Sequence, residues 1–118
     1  MALTKGFRET IMTRAESDPE FRRALLTEAV HAFLGGDIEV GKAVLRDYIN
    51  ATVGFENLAE ALDKKSKSLH RMLSPKGNPS SNNLFDILRV LQERECIELE
   101  VIARQKDGIG PVEDPACL

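Results

Sequence analysis

No stretch of this chain approaches the roughly 18 consecutive apolar residues that cross a bilayer. Its start carries Lys5, Arg8 and Glu9 where an export signal needs an apolar centre. The expectation is a cytoplasmic protein with no membrane segment. Cysteine is scarce: Cys96 and Cys117 are 21 residues apart, which matches neither a disulfide framework nor a zinc spacing, so both are read as reduced and structural. No repeat or low-complexity segment is present. The two histidines, His31 and His70, have no cysteine or carboxylate at metal-ligand spacing, and His31 is read as a partly buried structural residue. Gly35-Gly36 and Gly77 follow no strand and precede no Gly-Lys-Ser/Thr, so no nucleotide-phosphate loop is built. The expectation is a protein that is not an enzyme, with no catalytic residue, metal or cofactor.

What is present suffices for one domain of 118 residues, 42% of them apolar. Leu, Ile, Val and Phe make up about 28% of the chain, above the roughly 20% below which chains stay disordered. Charge is unevenly placed. Lys64 to Phe85 holds Lys64, Lys65, Lys67, Arg71 and Lys76 and no acid. That stretch is +5, so with a net charge of −3 the remainder carries −8. A basic patch on an acidic body suggests one anionic partner and a second, cationic one.

Residues 1–16 read as an N-terminal arm or short helix, with Phe7, Ile11 and Ala15 four apart. Ser17-Asp18-Pro19-Glu20 combines a cap oxygen, a first-turn proline and acids at a positive helix end, so a helix starts there. Phe21, Leu25, Ala29 and Ala32 or Phe33 form its stripe, and Gly35-Gly36 ends it. Asp37 caps the next helix, whose buried face is Val40, Val44, Leu45, Tyr48 and Ile49, with Gly54 as its stop. Two short helices follow, from Phe55 to Leu62 and from Ser66, its N-cap, to Leu73, with Leu69, Met72 and Leu73 turned inward. Ser74 to Ser80 contains two prolines and a glycine and is a loop. Ser81 or Asn82 caps a last helix with Leu84, Ile87, Leu88 and Leu91 in the core. Residues 17–95 are thus one helical domain. At 96–103, Ile97, Leu99, Val101 and Ala103 alternate with Glu98, Glu100 and Ile102, the period of a strand, with the two glutamates discouraging edge aggregation. A lone strand lacks a ladder partner, so Ile97, Leu99 and Val101 are read as dimerisation residues in a homodimer. Residues 104–118 read as a flexible tail.

Two short helices joined by a turn, the second basic and outward-facing, describe a helix-turn-helix over about residues 55–73. Arg71 and Lys67 suit guanine O6 and N7, and Ser66 and Ser68 either base edge. Lys64, Lys65, Lys76, Asn78 and Asn82 suit phosphate oxygens. His70 is read as a solvated neighbour of the DNA or a weak phosphate donor.

Two segments carry a family resemblance: Leu58-Ala59-Glu60-Ala61-Leu62, and Ser66 to Pro79, which ends in Leu73-Ser74-Pro75-Lys76-Gly77-Asn78-Pro79. Together they resemble the addiction-module antidote proteins, a HigA-like branch of the Xre, or Cro/C1-type, helix-turn-helix regulators. The resemblance covers roughly Asp18 to Ile102. It implies an all-α, lambda-repressor-like helical bundle, here with a short C-terminal strand. It further implies a dimeric antitoxin that binds double-stranded operator DNA, neutralises a cognate RelE-fold ribonuclease toxin and represses its own operon. By position, the family's base-reading face falls on Ser66, Lys67, Ser68 and Arg71. Asp63 stands where the family commonly has a turn glycine, and the tail after Ala103 runs past the usual end. The same surfaces would serve a stand-alone regulator without a toxin, and a helical adaptor would present its basic stretch to an acidic protein instead.

Overall fold

The computed structural model describes residues 5–106, and among them every regular element is a helix. The order is α1 (Lys5–Ser17), α2 (Pro19–Leu34), α3 (Ile38–Ala51), α4 (Phe55–Ala61), α5 (Ser66–Met72) and α6 (Ser81–Glu95). None is long and apolar enough to cross a membrane. A single extended residue, Asp18, separates α1 from α2; its carboxylate accepts the Phe21 N–H at 3.1 Å and Pro19 occupies the first turn. The Phe21 hydrogen bond holds the Asp18 carboxyl below its ordinary pKa. Arg14, one turn before, lies 4.5 Å above the Phe21 ring, a cation–π contact that fastens the corner.

Gly36, at φ +82°, turns the chain out of α2, and Asp37 caps α3 by accepting the Val40 N–H. The resulting α2–α3 hairpin is the most extensive helix pair, and α1 packs on it, chiefly against α3. Close approach depends on Gly41, where a Cβ would meet the Phe33 ring at 2.6 Å. The expected stripe of α3 holds at Leu45, Tyr48 and Ile49, which are buried, and at half-buried Val44; at its N-terminal end Gly41 and Lys42 are buried in place of exposed Val40. Gly54, at φ +80°, donates to the Ile49 carbonyl at 2.8 Å and opens α4. The core joins Leu26, Leu45, Ile49, Leu58, Leu69 and Ile87, all fully buried.

Two caps differ from expectation by one residue. Ser80, not Ser81 or Asn82, accepts the Asn83 N–H at the start of α6. Lys65 is the N-cap of α5, without a side-chain hydrogen bond, and Ser66 is its first helical residue. His31 is exposed rather than partly buried, because α2 turns Leu26 and Ala29 inward instead. Cys96 is an exposed left-handed C-cap on α6 at φ 57°; Cys117 lies outside the described residues.

The expected strand over 96–103 does not form among the described residues: 97–106 carry neither helix nor strand. No second strand lies among the described residues, and a ladder needs one. The alternation survives as alternate burial, Ile97 and Leu99 half-buried against the core and Glu98 and Glu100 exposed. Val101 is 74% exposed. Gln92 docks this segment, accepting the Leu99 N–H on its side-chain oxygen at 2.8 Å and the Ile97 N–H on its backbone oxygen at 3.1 Å. Of the expected tail, 104–106 are irregular and exposed, and the rest lies outside the described residues.

Candidate nucleic-acid interface

α4 and α5 are short because their punctuation is close together. Lys64 donates to the Ala59 carbonyl at 2.8 Å, closing α4, and Asp63 turns the chain in the left-handed region at φ 54°. Aspartate is among the few non-glycine residues that visit this region readily. Leu69 of α5 and its C-cap Leu73 are fully buried, which fixes the opposite face outward. The His70 ring stacks on Phe55, centroids 4.0 Å apart and planes 20° off parallel. His70 is therefore an exposed residue that also ties α5 to the first residue of α4.

Lys67 and Arg71 are exposed on α5, and Ser66 and Ser68 are half-buried beside them. Of the expected phosphate donors, Lys65, Lys76, Asn78 and Asn82 are exposed and Lys64 is half-buried. Ser68 and Arg71 meet Lys76 and Asn78 around an open cleft of about 360 Å³ where the loop folds back on α5. That return requires Gly77, since a Cβ there would lie 2.5 Å from the Met72 carbonyl oxygen and closer still to that of Arg71.

Lys42 is what holds the loop there, and its role is not visible in the sequence pattern. It is 1% exposed. Its ammonium donates to the carbonyls of Ser74 at 3.0 Å, Pro75 at 3.3 Å and Gly77 at 2.7 Å, and pairs with Glu39 at 2.8 Å. Arg46, one turn further along α3, donates to the Leu73 carbonyl. Carbonyls withdrawn from water need donors, and here two cations of α3 supply them to the α5 C-cap and the loop that follows it. The only signal for this was a lysine interrupting an otherwise apolar neighbourhood, which usually marks a solvated position.

A second buried polar group lies in the scaffold. Arg22 Nε donates to both Glu95 carboxylate oxygens at 3.1 Å, its Nη1 to the Ala15 carbonyl at 2.8 Å, and the Tyr48 hydroxyl to Glu95 at 2.7 Å. Burial raises the Glu95 carboxyl, but the hydrogen bonds from Arg22 and Tyr48 outweigh it and leave the pKa below the usual glutamate value. Burial, then the bond to Glu95, pushes the Tyr48 phenol up. The four groups pair with one another, joining α1, α2, α3 and α6. No buried side-chain polar atom among the described residues lacks a partner, and no group of three or more His, Cys, Asp or Glu that could hold a metal occurs among them.

Comparison with protein-family models, with curated proteins and with solved structures found no match to this chain.

Proposed function

We propose that α4 and α5 form a DNA-binding helix-turn-helix, that α5 reads base edges from the major groove, and that the protein is an antitoxin that represses its own operon. The observation that carries the DNA reading is that cationic and amide residues of the acid-free stretch 64–85 come together where the loop folds back on α5. Ser68 and Arg71 on α5 adjoin Lys76 and Asn78 on a loop whose carbonyls buried Lys42 ties to α3, and Lys67 is exposed on the same helix. A positioned loop of this kind presents phosphate donors at a set distance from base readers, which is what register on a duplex requires. The toxin partner and the autorepressor role rest on the resemblance of Leu73 to Pro79 and its flanking residues to the HigA-like antidote proteins. The −8 charge outside the basic stretch has the sign that suits a basic ribonuclease. The protein acts as a homodimer on two operator half-sites.

Fluorescence anisotropy with labelled DNA from upstream of the protein's own reading frame, against a scrambled duplex across a salt series, tests this reading. Preferential and strongly salt-dependent binding is expected. Equal affinity for the two duplexes at every salt concentration overturns it. Co-purification with the product of the adjoining reading frame tests the toxin partnership.

A further inference from the structure

We infer that residues 98–106 pair antiparallel with the same segment of a second copy of this chain, with Ile102 on the two-fold axis. At every second position this segment carries Glu98, Glu100, Ile102, Arg104 and Lys106: two acids, an aliphatic centre and two bases. In an antiparallel pair centred on Ile102, Glu100 lies opposite Arg104 of the second copy and Glu98 opposite its Lys106. By symmetry the dimer gains four such pairs. Moving the axis to Glu100 sets that carboxylate against its own copy, and moving it to Val101 or Ala103 halves the number of ion pairs. All five residues are exposed, and none of the four charged ones forms an ion pair among the described residues.

The backbone agrees with this register. Alternate burial from Ile97 to Glu100 is that of an extended chain, in which successive N–H groups point to opposite edges. The donors of Ile97 and Leu99 are turned to Gln92 of α6. The even-numbered edge therefore faces away from α6, and the proposed register hydrogen-bonds that edge. Ile102 and Val101, 81% and 74% exposed, are apolar surface in need of a cover. The segment also borders an open groove of about 490 Å³ against α2, with Val30 and Leu34 in its wall. This inference deepens the proposed function by supplying the dimer that two half-sites need, and it rests on that reading only for its purpose.

The test is a charge swap in the full chain, read by sedimentation velocity without DNA, with far-UV circular dichroism confirming unchanged helicity. Glu100→Arg sets guanidinium groups opposite one another, and Arg104→Glu does the same with carboxylates. Each single change should raise the dimer dissociation constant about tenfold or more at low salt. The double change restores the pairing and should return the constant to within about threefold of the unaltered chain. A monomeric unaltered chain, an unaffected single variant, or a double variant as weak as the singles would overturn the register. A dimer that follows the swap pattern but shows no preference for the upstream DNA would overturn the DNA reading and leave the pairing standing.

Discussion

Replacing Lys42 with methionine keeps the aliphatic stem and removes the ammonium. Ser74 and Gly77 then lose donors at 3.0 and 2.7 Å, and Pro75 loses a weaker one at 3.3 Å. Ser74 keeps the Gly77 N–H at 2.9 Å, so its lost bond costs about 1 kcal/mol, whereas the Gly77 carbonyl left without its ammonium costs about 1–3 kcal/mol, which sets the scale at about 2–4 kcal/mol. Two corrections apply. Removing a buried charge also removes its desolvation cost, which offsets part of the loss. Glu39 is 63% exposed, so its carboxylate returns to water at little cost. A net destabilisation of about 1–3 kcal/mol is expected, a substantial share of the roughly 5–15 kcal/mol that holds a domain folded. The melting temperature should fall by roughly 5–15 °C for a domain of this size. Urea unfolding followed by circular dichroism measures it, with Glu93→Gln at the exposed Arg89–Glu93 pair as the control that should shift stability by less than about 1 kcal/mol. A Lys42→Met protein within about 0.5 kcal/mol of the unaltered chain would refute the reasoning, because that is the range of an ordinary surface change.

Arg71→Ala should relax base preference at one operator position per half-site, by about 1–3 kcal/mol of discrimination, whereas Lys76→Ala should weaken specific and random DNA alike and lower the salt slope by about one unit per lost phosphate contact. Binding titrations on single-base operator variants separate the two; the opposite pattern would exchange reader and anchor. Glu95 titrates below its unfolded value of 4.5, so its contribution is fully present above that pH and is lost as pH falls through the depressed folded value. Glu95→Gln should therefore flatten the loss of thermal stability below about pH 4.5, and an unchanged acid limb would show that the Arg22–Glu95 pair is not its source. Association with a basic toxin should slow as salt rises, because the acidic remainder steers the encounter; stopped-flow rates unchanged between low and moderate ionic strength would assign that charge to solubility.

Features governed by local chemistry were legible in the sequence. Asp18 and Asp37 cap helices because each carboxylate needs only an N–H three residues ahead, and Gly36 turns the chain because its own φ is positive. Leu69 and Leu73 declare the inner face of α5, and with it the outward position of Lys67 and Arg71. Features set across the fold were not. Lys42 is buried only once a loop 32 to 35 residues later lays its carbonyls over α3, and helical periodicity carries no trace of that. The segment at 96–103 has the period of a strand, but period specifies which side chains share a face and does not supply a neighbouring strand. Residue type alone does not place His31 on a face of α2, whose rotation is set by Leu26, Ala29 and the ring of Phe33 against Gly41.

The α2–α3 hairpin bears on how quickly the chain finds its fold. Its two helices form the largest interface across a link of residues 35–37, so the loop closed to make it is short and its entropy cost small. Arg22 and Glu95, by contrast, are 73 residues apart, and their contact needs nearly the whole chain to be in place. The hairpin is expected to organise the transition state, with α6 docking late. Truncating Leu26 or Leu45 would then slow folding, while Glu95→Gln would act mainly on the unfolding rate. Acid would open the molecule from its C-terminal helix inward and leave the first hairpin as the last part to come apart.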